Sequence, residues 1–446
     1  MNPVTDTRAR DLDLTRSRSL QERAHLLVPG GCHTYAKGDD QYPELAPGFI
    51  ARGEGCHAWD VDGNEYIEYG MGCRAVTLGH AFPPVVEAAA RELGKGTNFS
   101  RPAPIELEAA EALLGMIEGA EMVKFAKDGS DVTSAAVRLA RAVTGRDRIA
   151  LCADHPFFST DDWFIGTTAM SAGIPRAVRE LSVTFRYNDL ESARALFDRH
   201  PGEIAAVILE PAKYDHPHDR FLHRLRDLAH ERGALFLLDE MITGFRWDNG
   251  GAQKTYGIVP DLSTFGKALG NGFSVSALAG RREFMERGGI RHAHERVFML
   301  STTHGAETHA LAAAIATMRT YREEPVIETL VARGERLRRG VDQVIARHGL
   351  DGHVAVVGLP QCLVFATRDA EQQPSQELRA LFLQELIRRG ILGPSFVVSF
   401  SHSEADIDRT VEAVDDLLPV YARALAHGTE GLLVGPPTKV VDRGFA

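Results

Sequence analysis

Two charged side chains stand where short apolar runs end. Leu235, Phe236, Leu237 and Leu238 lead into Asp239, and Leu262–Phe265 leads into Gly266 and Lys267, 28 residues after Asp239. In open α/β sheets, ligands gather at the carboxyl ends of strands. A lysine placed there can form an imine with a carbonyl, and partial burial makes it a better nucleophile. A carboxylate placed there can hold a ring nitrogen protonated. A third group, Gly129, Ser130 and Asp131, lies between an apolar run ending at Phe125 and a helical pattern beginning near Val132. Glycine lets backbone approach a ligand, Ser130 adds a hydroxyl, and the free N–H groups of a helix start attract phosphate. An imine-forming lysine, a carboxylate for a ring nitrogen and an anion site, with a flat apolar wall, are what pyridoxal 5'-phosphate (PLP) asks of a protein. Each group alone has a plainer reading. Asp239 could be a helix cap or a solvated acid, Gly-Lys pairs are common on surfaces, and Ser130 or Asp131 could be an ordinary N-cap. The pairing of Asp239 with Lys267 on successive strands is what favours the chemistry.

The surrounding pattern supplies such strands. Between about residue 80 and 310, strand candidates at 122–125, 148–151, 205–209, 235–238 and Leu262–Phe265 alternate with helical stretches. One helical face carries Val132, Ala135, Ala136, Leu139, Ala140 and Val143. Such alternation predicts a mainly parallel sheet covered by helices. Residues 53–69 alternate apolar and polar around Asp62-Gly63 and predict a β-hairpin turning there. Residues 1 to about 25 are polar and helix-compatible, 311–350 are strongly helical, 351–446 mix short strands and helices, and the tail after Gly428 is expected to be irregular. The division expected is an N-terminal segment, 1–75, packing with the small domain, a large cofactor domain, 76–315, and a small α+β domain, 316–446.

Composition narrows the function. A net charge of −11 and a pI of about 5.9, with no run of Lys or Arg, argue against nucleic acid or an anionic membrane as partner. Cys32, Cys56, Cys73, Cys152 and Cys362 are odd in number and never spaced Cys-x-x-Cys, so neither disulfides nor a structural metal is expected. No apolar run at the N-terminus reads as a signal peptide, and none elsewhere is long enough to span a bilayer, so a cytoplasmic location is expected. His216 and His218 sit in a polar stretch that reads as a surface loop.

From about Pro29 to Leu418 the chain resembles class III aminotransferases, most closely the glutamate-1-semialdehyde 2,1-aminomutase branch. The motifs that carry the resemblance are PGG at Pro29–Gly31, WDVDG at 59–63, LGH at 78–80, RLARAVTGRD at 138–147, LEP at 209–211, DEMITGFR at 239–246 and PDLSTFGKALGNG at 260–272. The resemblance implies PLP-dependent transferase fold type I, α/β, with a mainly parallel seven-stranded sheet and a smaller α+β domain. It implies Lys267 as the Schiff-base lysine that also moves the proton, Asp239 on the pyridine nitrogen, and Met241 on one ring face. Gly129 and Ser130 would bind the phosphate, with Asp131 beside them, and Glu210 would stand near the substrate side. Thr302 would reach the phosphate bound by the neighbouring subunit, which implies a homodimer with shared active sites. The second ring face would fall to Phe157, with Phe158 as its rival, in a stretch where the histidine, His155, is displaced. Pyridoxamine 5'-phosphate is the implied intermediate form of the cofactor.

The substrate side departs from the aminomutase pattern. Lys37 stands where that branch has a carboxylate-gripping arginine, and lysine lacks the bidentate fork. Gly72 and Cys73, followed by Arg74, replace a Ser-Trp pair, and His304 replaces a small residue beside Thr302. The loop at 161–168 is shorter, and 394–398 lacks several residues, a family glutamate among them. Lys37, Arg74 and His304 are therefore candidate substrate contacts, and a changed substrate explains these five departures better than drift. The expectation is an aminotransferase moving an amino group from a small-molecule donor to the carbonyl of a polar acceptor, of sugar-like or secondary-metabolite type. The alternatives are the aminomutase itself, a PLP epimerase or racemase, and an inactive scaffold homologue. An oxidoreductase is disfavoured because no GxGxxG follows the first strand.

Overall fold

In the computed structural model the described residues are 9–155 and 157–439. The chain divides into two units: one runs to Phe82 and resumes at Glu328, and the other spans Pro83–Ile327. The seven C-terminal residues 440–446, part of the tail expected to be irregular, and residues 1–8 of the polar N-terminal stretch lie outside the described residues.

In the first unit, β1 (Ile50–Glu54), β2 (His57–Asp60) and β3 (Glu65–Glu68) form an antiparallel meander. Its second turn is the one expected at Asp62-Gly63. Asp60 Oδ1 accepts the N–H groups of Asp62 and Asn64 at 3.0 and 2.8 Å, and Gly63 has φ 94°, which glycine takes without strain.

The second unit holds seven strands: β4 (Met122–Ala126), β5 (Arg148–Cys152), β6 (Ser182–Phe185), β7 (Ile204–Leu209), β8 (Leu235–Asp239), β9 (Leu262–Phe265) and β10 (Ser276–Gly280). Their order is β4-β10-β9-β8-β7-β5-β6. The five strands from β9 to β6 are parallel, while β10 runs antiparallel to both neighbours. Every residue of β7 and β8 is buried, because helices cover both faces. Side chains alternate between two cores: Leu235 and Leu237 point to one, Phe236 and Leu238 to the other. The first core takes the face of helix Gly129–Thr144 bearing Val132, Ala135, Ala136, Leu139 and Ala140; the second takes Phe221, Leu222, Leu225 and Leu228 of helix Phe221–Glu231.

Helix Gly129–Thr144 begins three residues before the expected start at Val132, because Asp128 is its cap. Asp128 Oδ1 accepts from Ser130 N at 2.8 Å and Asp131 N at 3.1 Å, and Asp131 Oδ2 accepts from Lys127 N at 3.1 Å. Neither Ser130 nor Asp131, for which a cap was the plainer alternative, holds that position. Gly145 ends the helix at φ 67°. Two strands of the sheet, β6 and β10, were absent from the sequence pattern.

The first unit is completed by β11 (Val354–Val357), β12 (Val364–Thr367) and β13 (Ile391–Leu392), with helices Val326–Arg347, Gln376–Arg388 and Glu404–His427. β13 joins the meander parallel to β3. Beyond Gly428 the described tail is irregular, held by Gln384, which bonds Leu432 O and Val434 N. Among the described residues no helix is long and apolar enough to cross a membrane.

Candidate active site

The site is built at the carboxyl ends of β8 and β9. These strands are parallel neighbours with Asp239 opposite Thr264. Asp239 is buried, and its Oδ1 accepts from Met241 N at 3.0 Å and Thr264 Oγ1 at 2.9 Å. Its Oδ2 is buried and has no hydrogen-bond partner among the described residues. A buried carboxylate oxygen left without a donor costs free energy unless a ligand supplies one. Burial pushes the Asp239 carboxyl up to about 6, against the charge of Lys267 and the two hydrogen bonds to Oδ1. The neighbouring acid has a different task. Glu240 accepts from Ala252 N at 3.0 Å, Gln253 N at 2.7 Å and the Thr243 hydroxyl, so it fastens the segment after β8 to the next helix.

Lys267 follows β9, half-buried, with φ 45°. A non-glycine residue in the left-handed region is uncommon and marks a position held by its surroundings. The Met241 thioether lies between two glycine backbones. A Cβ on Gly266 would stand 2.6 Å from Met241 Sδ, and one on Gly129 would stand 3.0 Å from it. Glycine at both positions leaves room for Met241 at 5% exposure, where its soft side chain can floor a flat ring. An acceptor oxygen awaiting a donor, an apolar floor and a half-buried lysine together fit the pyridine ring of PLP.

The anion end of the site differs from its expectation. The amides of Ser130 and Asp131 are bonded to Asp128, and the Asp131 side chain belongs to the cap, although the sequence placed it at the cofactor. Ser130 Oγ accepts from Thr160 N at 3.0 Å, which leaves its hydrogen to donate to a phosphate. Asp128 adds a carboxylate to this corner. Sequence reasoning passed over Asp128, although the Asp-x-x-Asp spacing with Asp131 is itself a capping signal. It also passed over Thr264, whose hydroxyl orients Asp239, because a threonine inside an apolar strand looks like packing.

Phe158 is buried, edge-on to Phe164 and His155, so it belongs to the core; Phe157 is only half-buried. His155 is buried and accepts the Glu210 backbone N–H at Nδ1, 3.0 Å away. Burial, with the charge of Lys213, lowers its pKa to about 3, so it stays neutral and helps hold buried Glu210 in place. Thr302 and His304 are exposed in the same unit, and His304 pairs with Glu307 at 3.0 Å. Lys37 and Arg74 belong to the other unit. Lys37 is exposed on a short 3-10 turn, while Arg74 is half-buried at φ 69° in a turn where Met71, Gly72 and Cys73 also have positive φ.

One group among the described residues brings metal-type ligand atoms within 4.8 Å of one another: Cys56, His57 and Asp406. Hydrogen bonds explain it. Asp406 accepts from Ser403 N at 2.8 Å in a capping box and from His57 Nε2 at 3.2 Å. Burial opposes its charge, yet these bonds hold its carboxyl well below the usual range. His216 and His218 are bonded to Tyr256 at 2.9 Å and Asp215 at 2.7 Å on an exposed loop.

A lysine and a buried acid on adjacent strand ends of this sheet define a fold type I PLP enzyme. The chain belongs to the class III aminotransferase family, whose pattern it matches over residues 38–416. It is 35% identical to the glutamate-1-semialdehyde 2,1-aminomutase of Roseiflexus castenholzii, covering 93% of this chain and 99% of that one. Among solved structures it is similar to the FumI protein of Sphingopyxis sp. MTA144 in its PLP internal aldimine form, at TM-score 0.84 and 31% identity over 93% of this chain and 98% of that one. It is also similar to an omega-transaminase from Sphaerobacter thermophilus, at TM-score 0.79 and 27% identity over 92% and 97%. The cofactor is PLP, and the substrates of such enzymes are small molecules.

Proposed function

We propose that the protein is an aminotransferase, moving an amino group from a small-molecule donor to the carbonyl of a polar acceptor, with pyridoxamine 5'-phosphate as the form of the cofactor that carries the nitrogen. When bound, PLP supplies the electron sink for the substrate carbon. Lys267 binds the cofactor and moves the proton on and off that carbon. Asp239 Oδ2 accepts the ring N–H, Met241 carries one face of the ring, and Phe157, the half-buried aromatic, carries the other. Gly129 and Ser130, through the Ser130 hydroxyl, hold the phosphate with Thr302 of a second copy, so the protein works as a homodimer. The observation that carries the reading is the unpartnered Asp239 Oδ2 facing the same site as Lys267.

Transfer is favoured over the aminomutase reaction by the sequence: Lys37 stands where the aminomutase branch has an arginine, and a lysine lacks the bidentate fork that suits a short carboxylate. The aminomutase reading remains the second one, because relatives at 34–35% identity carry that name. The names among the comparisons lend no support to a sugar-like acceptor, so its class is left at a polar carbonyl compound. The test follows the cofactor spectrum of the purified enzyme with candidate amines. A lasting loss of the yellow band that a carbonyl acceptor restores supports transfer. Solvent deuterium uptake without that loss would instead show epimerisation, and efficient turnover of glutamate-1-semialdehyde alone would show the aminomutase. Lys267→Ala should lose the lysine imine, so that borohydride fixes no cofactor to the chain, and borohydride labelling of any other lysine in the wild type would overturn the assignment.

A further inference from the structure

In the first unit, the chain beyond Gly428 runs back to the loop that carries Lys37. Two anchors hold it there. The first is Gln384, fully buried on helix Gln376–Arg388. Its Nε2 donates to Leu432 O at 2.8 Å, and its Oε1 accepts from Val434 N at 2.8 Å. The second is Asp40, whose carbonyl accepts from Lys439 N at 2.8 Å. Between them Gly435, at φ 74°, lies so close to Glu44 that a Cβ on it would overlap the carboxylate. Pro436 and Pro437 follow, and their fixed φ leaves this span little freedom to lose on ordering. A buried glutamine whose amide serves the tail backbone makes the tail part of the unit.

The loop it reaches is held lightly. Residues 35–37 and 39–41 form two 3-10 turns, closed by Gly38 N to Tyr35 O at 3.0 Å and Tyr42 N to Asp39 O at 3.3 Å. Asp39 ties them to helix Thr15–Leu27 through His25 at 2.7 Å, but both side chains are exposed, and such pairs contribute little. Lys37 is exposed, and among the described residues its side chain makes no hydrogen bond or ion pair. Its place therefore depends on the backbone beneath it, which Lys439 bonds at Asp40.

We propose that the tail is a strap that positions Lys37: by holding loop 35–44 it fixes that cation for an acidic group of the amino acceptor. A lysine is a point charge on a flexible stem, so its grip on an acid depends on how well its backbone is held. The role of Lys37 toward the substrate rests on the aminotransferase reading above; the strap itself does not.

Two variants cut the strap. One ends the chain after Gly428. The other, Lys439→Pro, deletes the N–H that bonds Asp40 O and keeps the tail its length. Trypsin cleavage after Lys37 reports how often the loop opens. It should quicken about tenfold in the truncated chain and about fivefold in Lys439→Pro, the effect of one hydrogen bond. Cleavage after exposed Arg291, in the other unit, should keep its rate. If it quickens too in the truncated chain, that chain is loosened throughout and Lys439→Pro decides. The second measurement loads wild type, both strap variants and Lys37→Ala with pyridoxamine 5'-phosphate, adds pyruvate as a carboxylate-bearing probe, and follows the return of the yellow band. Half-saturation should need about fivefold more pyruvate in every variant, and the limiting rate of the strap variants should stay within about twofold of wild type. Unchanged cleavage after Lys37 in both strap variants overturns the proposal. So does a rise in half-saturation confined to Lys37→Ala, which would leave Lys37 a substrate contact that needs no strap. No rise in Lys37→Ala would remove Lys37 from the substrate, and the proposal with it. A wild type that pyruvate does not turn yellow counts against transfer to such an acceptor, and the cleavage rates then decide the strap by themselves.

Discussion

Asp239 is held in an unfavourable state by design of the chain around it. Its carboxyl ionises near 6 in the fold against 3.8 unperturbed. For an acid whose folded pKa is raised, the folded state binds the extra proton, so stability falls as pH rises from about 4 to about 6. Over that window the loss amounts to about 3 kcal/mol, and it persists at neutral pH. A ring N–H on Oδ2 would recover it. Asp239→Asn removes the charge and keeps the shape. The apo variant should therefore melt several degrees above apo wild type at pH 7.5 and close to it at pH 4, by calorimetry at both pH values. PLP should stabilise the variant less than the wild type, and turnover should fall by about a hundredfold or more, as for other lost electrostatic contacts in water-excluded sites. An apo variant less stable than wild type at pH 7.5 would show that Oδ2 is satisfied in solution. This residue was legible in the sequence because an apolar run ending in acid names both a strand end and a side chain. Its strain was not, since burial on every side depends on residues far away in the chain.

The elements were legible in proportion to how far their own side chains announce them. β7 and β8 are built mainly of Ile, Val, Leu, Phe and Ala, β9 is bounded by Leu262 and Phe265, and each appears in the fold within a residue of its expected bounds. β10, Ser-Ala-Leu-Ala-Gly, carries almost no β-branched or aromatic residue. It is a strand because β4 and β9 pair with it on both sides, a tertiary cause invisible to local pattern. The start of helix Gly129–Thr144 shows the same limit at finer scale. Glycine and serine signalled an open anion site, while Asp128 one residue earlier had taken the Ser130 and Asp131 amides. A carboxylate there competes with phosphate and repels it. Asparagine caps as well as aspartate but carries no charge. Asp128→Asn should keep the helix and bind PLP about five- to tenfold more tightly, worth about 1 kcal/mol. Titration of apoprotein with PLP at low ionic strength measures it. Weaker binding in the variant would mean that Asp128 swings away and assists the cofactor by another route.

At the scale of the whole molecule, the proposed homodimer divides the site residues of one chain between two places. Lys267, Asp239, Met241 and Gly129 converge at the strand ends, whereas Thr302 stands exposed on the wall of a groove shared with residues 97–103. An exposed threonine can hold a phosphate only if something brings one to it, and a two-fold dimer does so by presenting the same surface twice. In such a dimer each site takes Lys267 from one chain and Thr302 from the other. Lys267→Ala should be inactive for want of the imine. Thr302→Asp should be inactive because a carboxylate against a phosphate costs several kcal/mol. A mixed dimer of the two variants has one site with both defects and one with neither. Equal mixing with free exchange makes half of the dimers mixed, so activity should recover to about a quarter of wild type, as isologous two-fold pairing requires. The measurement is turnover after co-refolding or co-expression of the two variants, against each variant alone. If both residues served the same site within one chain, every site in the mixture would carry a defect, and activity would stay at the level of the parents.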